Sequence, residues 1–207
     1  MKPQIEKHVA VLLADGFEEG EAVVFIDIMR RLDIKVDVLS CMETTALETY
    51  FETRISADYT LTEKQTQSYD AIMMPGGPKG TDNLSANPMV IDFIKRHMQE
   101  DKLICALCSS GAKVLAAHGL LGKRKYTTGD GLPTKFNDGV FVDEDVVIED
   151  NFITGRGLGV SFEFSFAVAN VLLSDNTEKV LWQSNHIYFD HWPKNKKITR
   201  NTGKLKK

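Results

Sequence analysis

Residues 103–111, Leu-Ile-Cys-Ala-Leu-Cys-Ser-Ser-Gly, form an apolar strand pattern that runs straight into a helical one, with Cys108 at the junction. A nucleophile there is forced into a tight turn and exposed at a sheet edge. The helix start supplies partial positive charge and free N–H groups, so a reactive, low-pKa thiolate is expected at Cys108. Those N–H groups, with Gly77 opposite, can hold an oxyanion. The alternative is a buried, inert cysteine, as in most apolar runs. Glu21 is its best-placed acid–base partner: it falls in the first turn of a helical pattern, one residue before Ala22 and four before Phe25, and so borders the core-facing side. Buried against sulfur, that carboxyl would keep its proton and donate a hydrogen bond. Glu18 and Glu19 read as helix-start acids.

Cys105 and Cys108 match a C-x-x-C pattern, but Cys105 lies inside the strand and residues three apart in a strand point to opposite faces, which argues against a dithiol. A zinc site would need a second ligand pair, and the run Asp143-Glu144-Asp145 lacks the glycine and spacing of a calcium loop, so no metal is expected. Without a Walker loop or a G-x-G-x-x-G stretch, no cofactor is expected either.

The elements that must position these residues alternate along the chain. Residues 8–14, 35–40, 69–74 and 103–107 read as strands, with a further one over 54–61. Residues 18–32 read as a helix with Ala22, Phe25, Ile26, Met29 and Leu32 on its apolar face. Asn87 caps a helix that begins at Pro88 and runs to about Glu100. Residues 110–117 form the helix after Cys108, ended near Gly119, with His118 as a dipole-favoured terminal residue. Residues 146–149 and 152–154 make a hairpin around Asp150-Asn151, and 160–173 is the last long helix. This alternation predicts one α/β domain over 1–193, a three-layer sandwich with a mainly parallel central sheet. Ligands bind beyond the carboxyl ends of such strands, so the loops 15–21, 75–80, 108–111 and 155–159 define one expected pocket.

Four stretches together carry a resemblance: ADGFEEGE over 14–21, the PGG run at 75–77, ICALCSSG over 104–111 and GRGLGVSFEF over 155–164. In that order they resemble the ThiJ/PfpI superfamily in its DJ-one branch, of class I glutamine amidotransferase-like fold. The resemblance implies a flavodoxin-like sandwich, usually dimeric, with Cys108 as oxidisable nucleophile, Glu21 as its protonated partner, and the Gly77 and Ser109 N–H groups lining the pocket. Glu18, Gly76 and Arg156 lie in the same stretches and are further pocket candidates. Implied activities are glyoxalase and deglycase chemistry and redox-regulated chaperoning, with older labels of thiazole phosphate biosynthesis. Ser109 stands where the peptidase-like branch has histidine, which argues against peptidase activity. Gly129 follows Tyr126-Thr127-Thr128 where many relatives carry a histidine, which favours the rival reading of a non-enzymatic stress sensor.

The chain of 207 residues is 43% hydrophobic and 26% charged, an ordinary globular composition with no apolar run of membrane-spanning length. Three cysteines and an N-terminus without a signal-peptide pattern predict a cytoplasmic protein. Residues 194–207 hold seven basic residues and no acid, so the rest is more acidic than the net −4. This segment is expected to be a disordered tail. It has no aromatic residue for stacking bases, so no nucleic-acid partner is expected. The expected partners are a small carbonyl substrate or glycated adduct and a second copy of the chain.

Overall fold

The computed structural model describes residues 6–129, 131–189 and 198–201. In chain order it contains β1 (His8–Leu13), α1 (Glu19–Arg31), β2 (Lys35–Ser40), β3 (Ala46–Glu48), β4 (Arg54–Ser56), β5 (Tyr59–Thr60), α2 (Leu61–Lys64), β6 (Ala71–Met74), α3 (Pro78–Ala86), α4 (Pro88–Gln99) and β7 (Leu103–Leu107). Then come β8 (Lys125–Tyr126), β9 (Val140–Phe141), β10 (Val146–Glu149), β11 (Phe152–Gly155), α5 (Ser161–Leu172), α6 (Thr177–His186) and β12 (Ile198–Asn201).

Eight strands form one sheet in the order β12-β10-β11-β7-β6-β1-β2-β5. Its pairings are parallel except for the β10–β11 hairpin. A strand of a parallel sheet covered on both faces must be apolar throughout rather than alternating. In β1, Val9, Val11 and Leu13 join one core layer with Ala22, Phe25 and Met29 of α1 and Phe164 of α5. Ala10 and Leu12 join the other with Val90 and Ile94 of α4. The result is the expected flavodoxin-like α/β sandwich, with β7 near its middle, so Cys108 emerges between two covered faces.

The departures from the sequence reading have local causes. The strand expected over 54–61 breaks because the Asp58 carboxylate accepts the Val38 N–H at 2.9 Å and the Ala57 N–H bonds to Thr45 O. On one side of the break β4 pairs with β3 in a separate hairpin, and on the other β5 joins the main sheet beside β2. The helix after Cys108 is a π-helical turn, Gly111–Leu115, continued by a 3₁₀ turn, Ala116–His118. On the buried side of α1, Ile28 takes the place expected of Ile26, which is only partly buried. α3 lay hidden in a stretch with proline, glycine and asparagine; Gly77 caps it and Pro78 fills its first position. Within the basic segment 194–207, expected to be disordered, Ile198–Asn201 pairs in parallel with β10 as the outermost strand. Its other residues lie outside those described. Among the described residues, no helix is long and apolar enough to cross a membrane.

Candidate active site

Cys108 has a φ of +56°, the left-handed region, which costs a non-glycine residue on the order of 1 kcal/mol. Neighbouring elements hold it there. The Cys108 N–H donates to Gly155 O at the end of β11 at 2.9 Å. The Cys108 carbonyl accepts the Thr128 hydroxyl at 2.7 Å and the Gly129 N–H at 3.4 Å. From the next residues, the Ser110 hydroxyl donates to Pro75 O at 2.6 Å, tying the turn to the loop after β6. The Ser109 N–H and hydroxyl lie beside the sulfur and favour its ionised form. The Ser109 hydroxyl also stands 3.2 Å from the Thr81 hydroxyl.

Glu21 is 1% exposed in the first turn of α1. Its Oε2 accepts the Gly76 N–H at 2.6 Å, and its Oε1 has no hydrogen-bond partner among the described residues. The carboxyl lies beside Cys108, close enough for each to shift the other's proton affinity. The loop after β6 can come this close only because residue 76 is glycine. A Cβ there would lie 2.6 Å from Cys108 Cβ and 3.0 Å from both Sγ and Glu21 Oε2. Gly77 is needed for a different reason: its φ is +97°, and a Cβ would sit 2.3 Å from Gly16 O. Glu18 seals the same contact by donating its N–H to Gly76 O at 3.0 Å. Arg156 turns its guanidinium to the acidic run, 2.8 Å from Asp143 and 3.7 Å from Asp145.

Burial is the main cause of the electrostatics here. It pushes Glu21 up to about 7, with the charge of Glu18 adding to it and the Gly76 N–H and the Cys108 side chain pulling back. Burial and then the Glu21 carboxylate push the Cys108 thiol up to about 12, against the Ser109 N–H and hydroxyl. The low thiol pKa expected from the helix start is therefore reversed. A π turn succeeds the sulfur, a carboxylate faces it, and burial outweighs the local dipole. The two groups titrate as a pair: the first proton leaves near neutrality and the second only in strong alkali. Below that first step the pair holds two protons and above it one, and moving that one between oxygen and sulfur leaves the net charge unchanged.

The sequence reading placed Cys108, Glu21, Gly76, Gly77, Ser109 and Glu18 together, and the structure brings them together. The Ser109 hydroxyl and its Thr81 neighbour escaped it, because α3 was not read as a helix. Cys105 is fully buried within β7, and burial pushes its thiol up, as it does that of Cys41. His118 contacts Ser85 at 2.9 Å, away from the sulfur. Among the described residues, no cluster of three or more histidine, cysteine, aspartate or glutamate side chains is arranged to hold a metal.

A parallel α/β sandwich with a strained cysteine at the end of a central strand, facing a buried glutamate, defines a cysteine–carboxylate α/β protein. The chain belongs to the DJ-1/PfpI family, whose model matches residues 7–171. It is 34% identical over 171 residues to the Parkinson disease protein 7 homolog of Danio rerio, covering 81% of this chain and 90% of that one. To the Glutathione-independent glyoxalase DJR-1.2 of Caenorhabditis elegans it is 31% identical, covering 81% and 89%. Protein DJ-1 homolog B of Arabidopsis thaliana is longer: at 32% identity the match covers 77% of this chain but 36% of that protein. Among solved structures, a cysteine-to-alanine mutant of the DJ-1 superfamily protein STM1931 from Salmonella typhimurium superposes with a TM-score of 0.86 at 48% identity, covering 88% of this chain and 98% of that one.

Proposed function

We propose that the chain is a cysteine-dependent, cofactor-independent enzyme that handles reactive carbonyls, of glyoxalase or deglycase type. The observation that carries this is a buried Glu21 carboxyl, anchored by the Gly76 N–H, set beside the Cys108 sulfur at the end of β7, where burial raises its pKa towards neutrality. With a 2-oxoaldehyde, sulfur adds to the aldehyde carbon and the pair's proton passes to the aldehyde oxygen, giving a hemithioacetal. Glu21 then removes the proton from that carbon and returns it to the adjacent carbon, through an enediol. The aldehyde carbon is thereby oxidised and the ketone carbon reduced, with no external electron acceptor. Water hydrolyses the resulting thioester, releasing a 2-hydroxy acid and the thiol. The Gly77 and Ser109 N–H groups are assigned to the oxyanion that develops at the aldehyde carbon. The glyoxalase name of the Caenorhabditis relative supports the reading.

The test is conversion of methylglyoxal to lactate without glutathione. Wild type turns over, and Cys108→Ala and Glu21→Gln each lose at least a hundredfold. Absence of wild-type turnover, or turnover that survives in Cys108→Ala, overturns the reading. A second reading, an oxidation sensor or redox-regulated chaperone, is favoured by Gly129, which sets no imidazole beside the sulfur. It predicts Cys108 sulfinate after peroxide with no carbonyl turnover.

The proposal includes a cytoplasmic homodimer. Val23, one turn beyond Glu19 on α1, and Phe51 are 50% and 68% exposed. The Thr53 hydroxyl, two residues after Phe51, donates to Glu19 at 3.1 Å, which brings that turn beside α1. Together they make an apolar face that a second copy would cover.

A further inference from the structure

The sulfur of Cys108 is closed on one side and open on the other. On the closed side, the Gly76 backbone leaves no room for even a methyl group. On the open side stand Gly129 and Gly157. A Cβ at Gly129 would lie 3.6 Å from Sγ, and one at Gly157 would lie 3.9 Å from it, both ordinary contact distances. Neither position needs glycine for its backbone. Gly157 has a φ of 163°, extended backbone that any residue adopts, and Gly129 is not among the residues of positive φ. Both positions have room for a Cβ in contact with the sulfur, and neither carries one.

The slot has a chemical character as well as a width. Leu132 Cδ1 comes within 3.9 Å of the Cβ position at Gly129, and the Arg156 carbonyl within 3.8 Å. The Arg156 guanidinium is committed to Asp143 and Asp145. Besides the sulfur, the atoms closest to these two positions outside their own chain neighbours are a carbonyl oxygen and a leucine methyl, with no charged group among them, a surface better suited to an uncharged, apolar group than to an anion.

Resting on the carbonyl-handling reading above, we propose that Gly129 and Gly157 set the substrate class: a 2-oxoaldehyde whose ketone carries an apolar group larger than methyl, such as a flat aromatic ring. The aldehyde carbon meets Sγ, and the substituent lies in the slot between the two glycines. Chemistry at the two carbonyl carbons is unchanged from that given above.

Phenylglyoxal and methylglyoxal are compared as substrates of the full chain in wild type, Gly129→Val and Gly157→Val, with Cys108→Ala as background. Wild type prefers phenylglyoxal by about tenfold or more in kcat/KM, and each valine variant lowers the phenylglyoxal-to-methylglyoxal ratio at least tenfold. The ratio is insensitive to a misfolded fraction, which lowers both rates alike, and Gly157→Ala gives a milder step in the same direction. If methylglyoxal is the better substrate, or if the valine variants leave the ratio where it was, the slot assignment is overturned and the carbonyl function stands. If wild type consumes neither aldehyde, the function itself falls and the substrate assignment with it.

Discussion

Glu21 stores its charge at a cost that the protein's stability should reveal. Its folded pKa of about 7 lies above the 4.5 of the unfolded chain, so the folded state holds the proton more tightly. The stabilisation is fully present below pH 4.5 and is lost as pH rises through 7, an effect on the order of 3 kcal/mol for a group this buried. Glu21→Gln, which cannot ionise, should therefore be more stable than wild type at pH 8. The gap should narrow as pH falls towards 4.5, measured by urea unfolding across that range. Sulfur reactivity offers a second reading of the same pair. Alkylation of Cys108 should rise through an inflection near pH 7 in wild type, when the pair loses its first proton. In Glu21→Gln that inflection should vanish, and the rate at pH 7.5 should rise severalfold, because the carboxylate that pushes the thiol up is gone. Identical pH–rate profiles would separate Glu21 from the chemistry. Both residues were legible in the sequence, one from a strand–helix junction and the other from its place on a helix face. The direction of the thiol's shift was not, because it depends on how deeply β11 and the loop after β6 bury the sulfur.

At the scale of elements, α4 is fastened to the start of β6 by His97. Its Nδ1–H donates to Phe93 O at 2.8 Å, and its Nε2 accepts the Tyr69 N–H at 3.1 Å. That arrangement requires a neutral ring, and burial accordingly holds its pKa below the usual histidine value. A histidine with a depressed folded pKa stabilises above its unfolded pKa, so this contribution should be lost as pH falls below about 6.5. His97→Gln keeps an acceptor without a titrating ring and should flatten the acid limb of the stability curve between pH 6.5 and 5. His97→Leu leaves the Tyr69 N–H buried and unpaired and should cost about 1–3 kcal/mol at pH 7. A wild-type curve with the same acid limb as His97→Gln would show that the ring does not act as this clasp. The boundaries of α4 were readable because Asn87 and Pro88 are local signals, and the Asn87 side chain does accept the Met89 N–H at 3.0 Å. The break between β4 and β5 was not readable, because it is made by Val38 and Thr45, far from it along the chain. α3 was obscured by residues that favour turns in isolation but here cap a helix and pack it against β1.

For the whole molecule, the apolar face around Val23 and Phe51 predicts a dimer in solution. Light scattering should give twice the chain mass for wild type, and Val23→Asp combined with Phe51→Glu should shift it to one chain with little change in far-ultraviolet circular dichroism. A wild-type mass of a single chain would remove the face from consideration. β12 makes a separate prediction. Cutting the chain after residue 189 uncovers the β10 edge, so the melting temperature should fall by several degrees, whereas an unattached tail would be lost without effect. The strand alternation that defines the sandwich was evident in the sequence, since parallel strands buried on both faces are continuous apolar runs. The outermost strand was not, because Ile198–Asn201 sits among basic residues, and its pairing with β10 is a long-range fact.

The order in which the sheet is assembled bears on the protein's birth as well as its shape. β7 ends at Leu107, but the neighbour that bonds the Cys108 N–H is Gly155, and Gly157 beside the sulfur comes later still. A ribosome therefore delivers the nucleophile well before it delivers the wall that shelters it. Until β11 docks, a growing chain presents Cys108 with one flank bare and its thiol free of the burial that later raises its pKa. Nascent chains should be the form of this protein most easily oxidised or alkylated, and a burst of electrophile should mark newly made molecules in preference to finished ones.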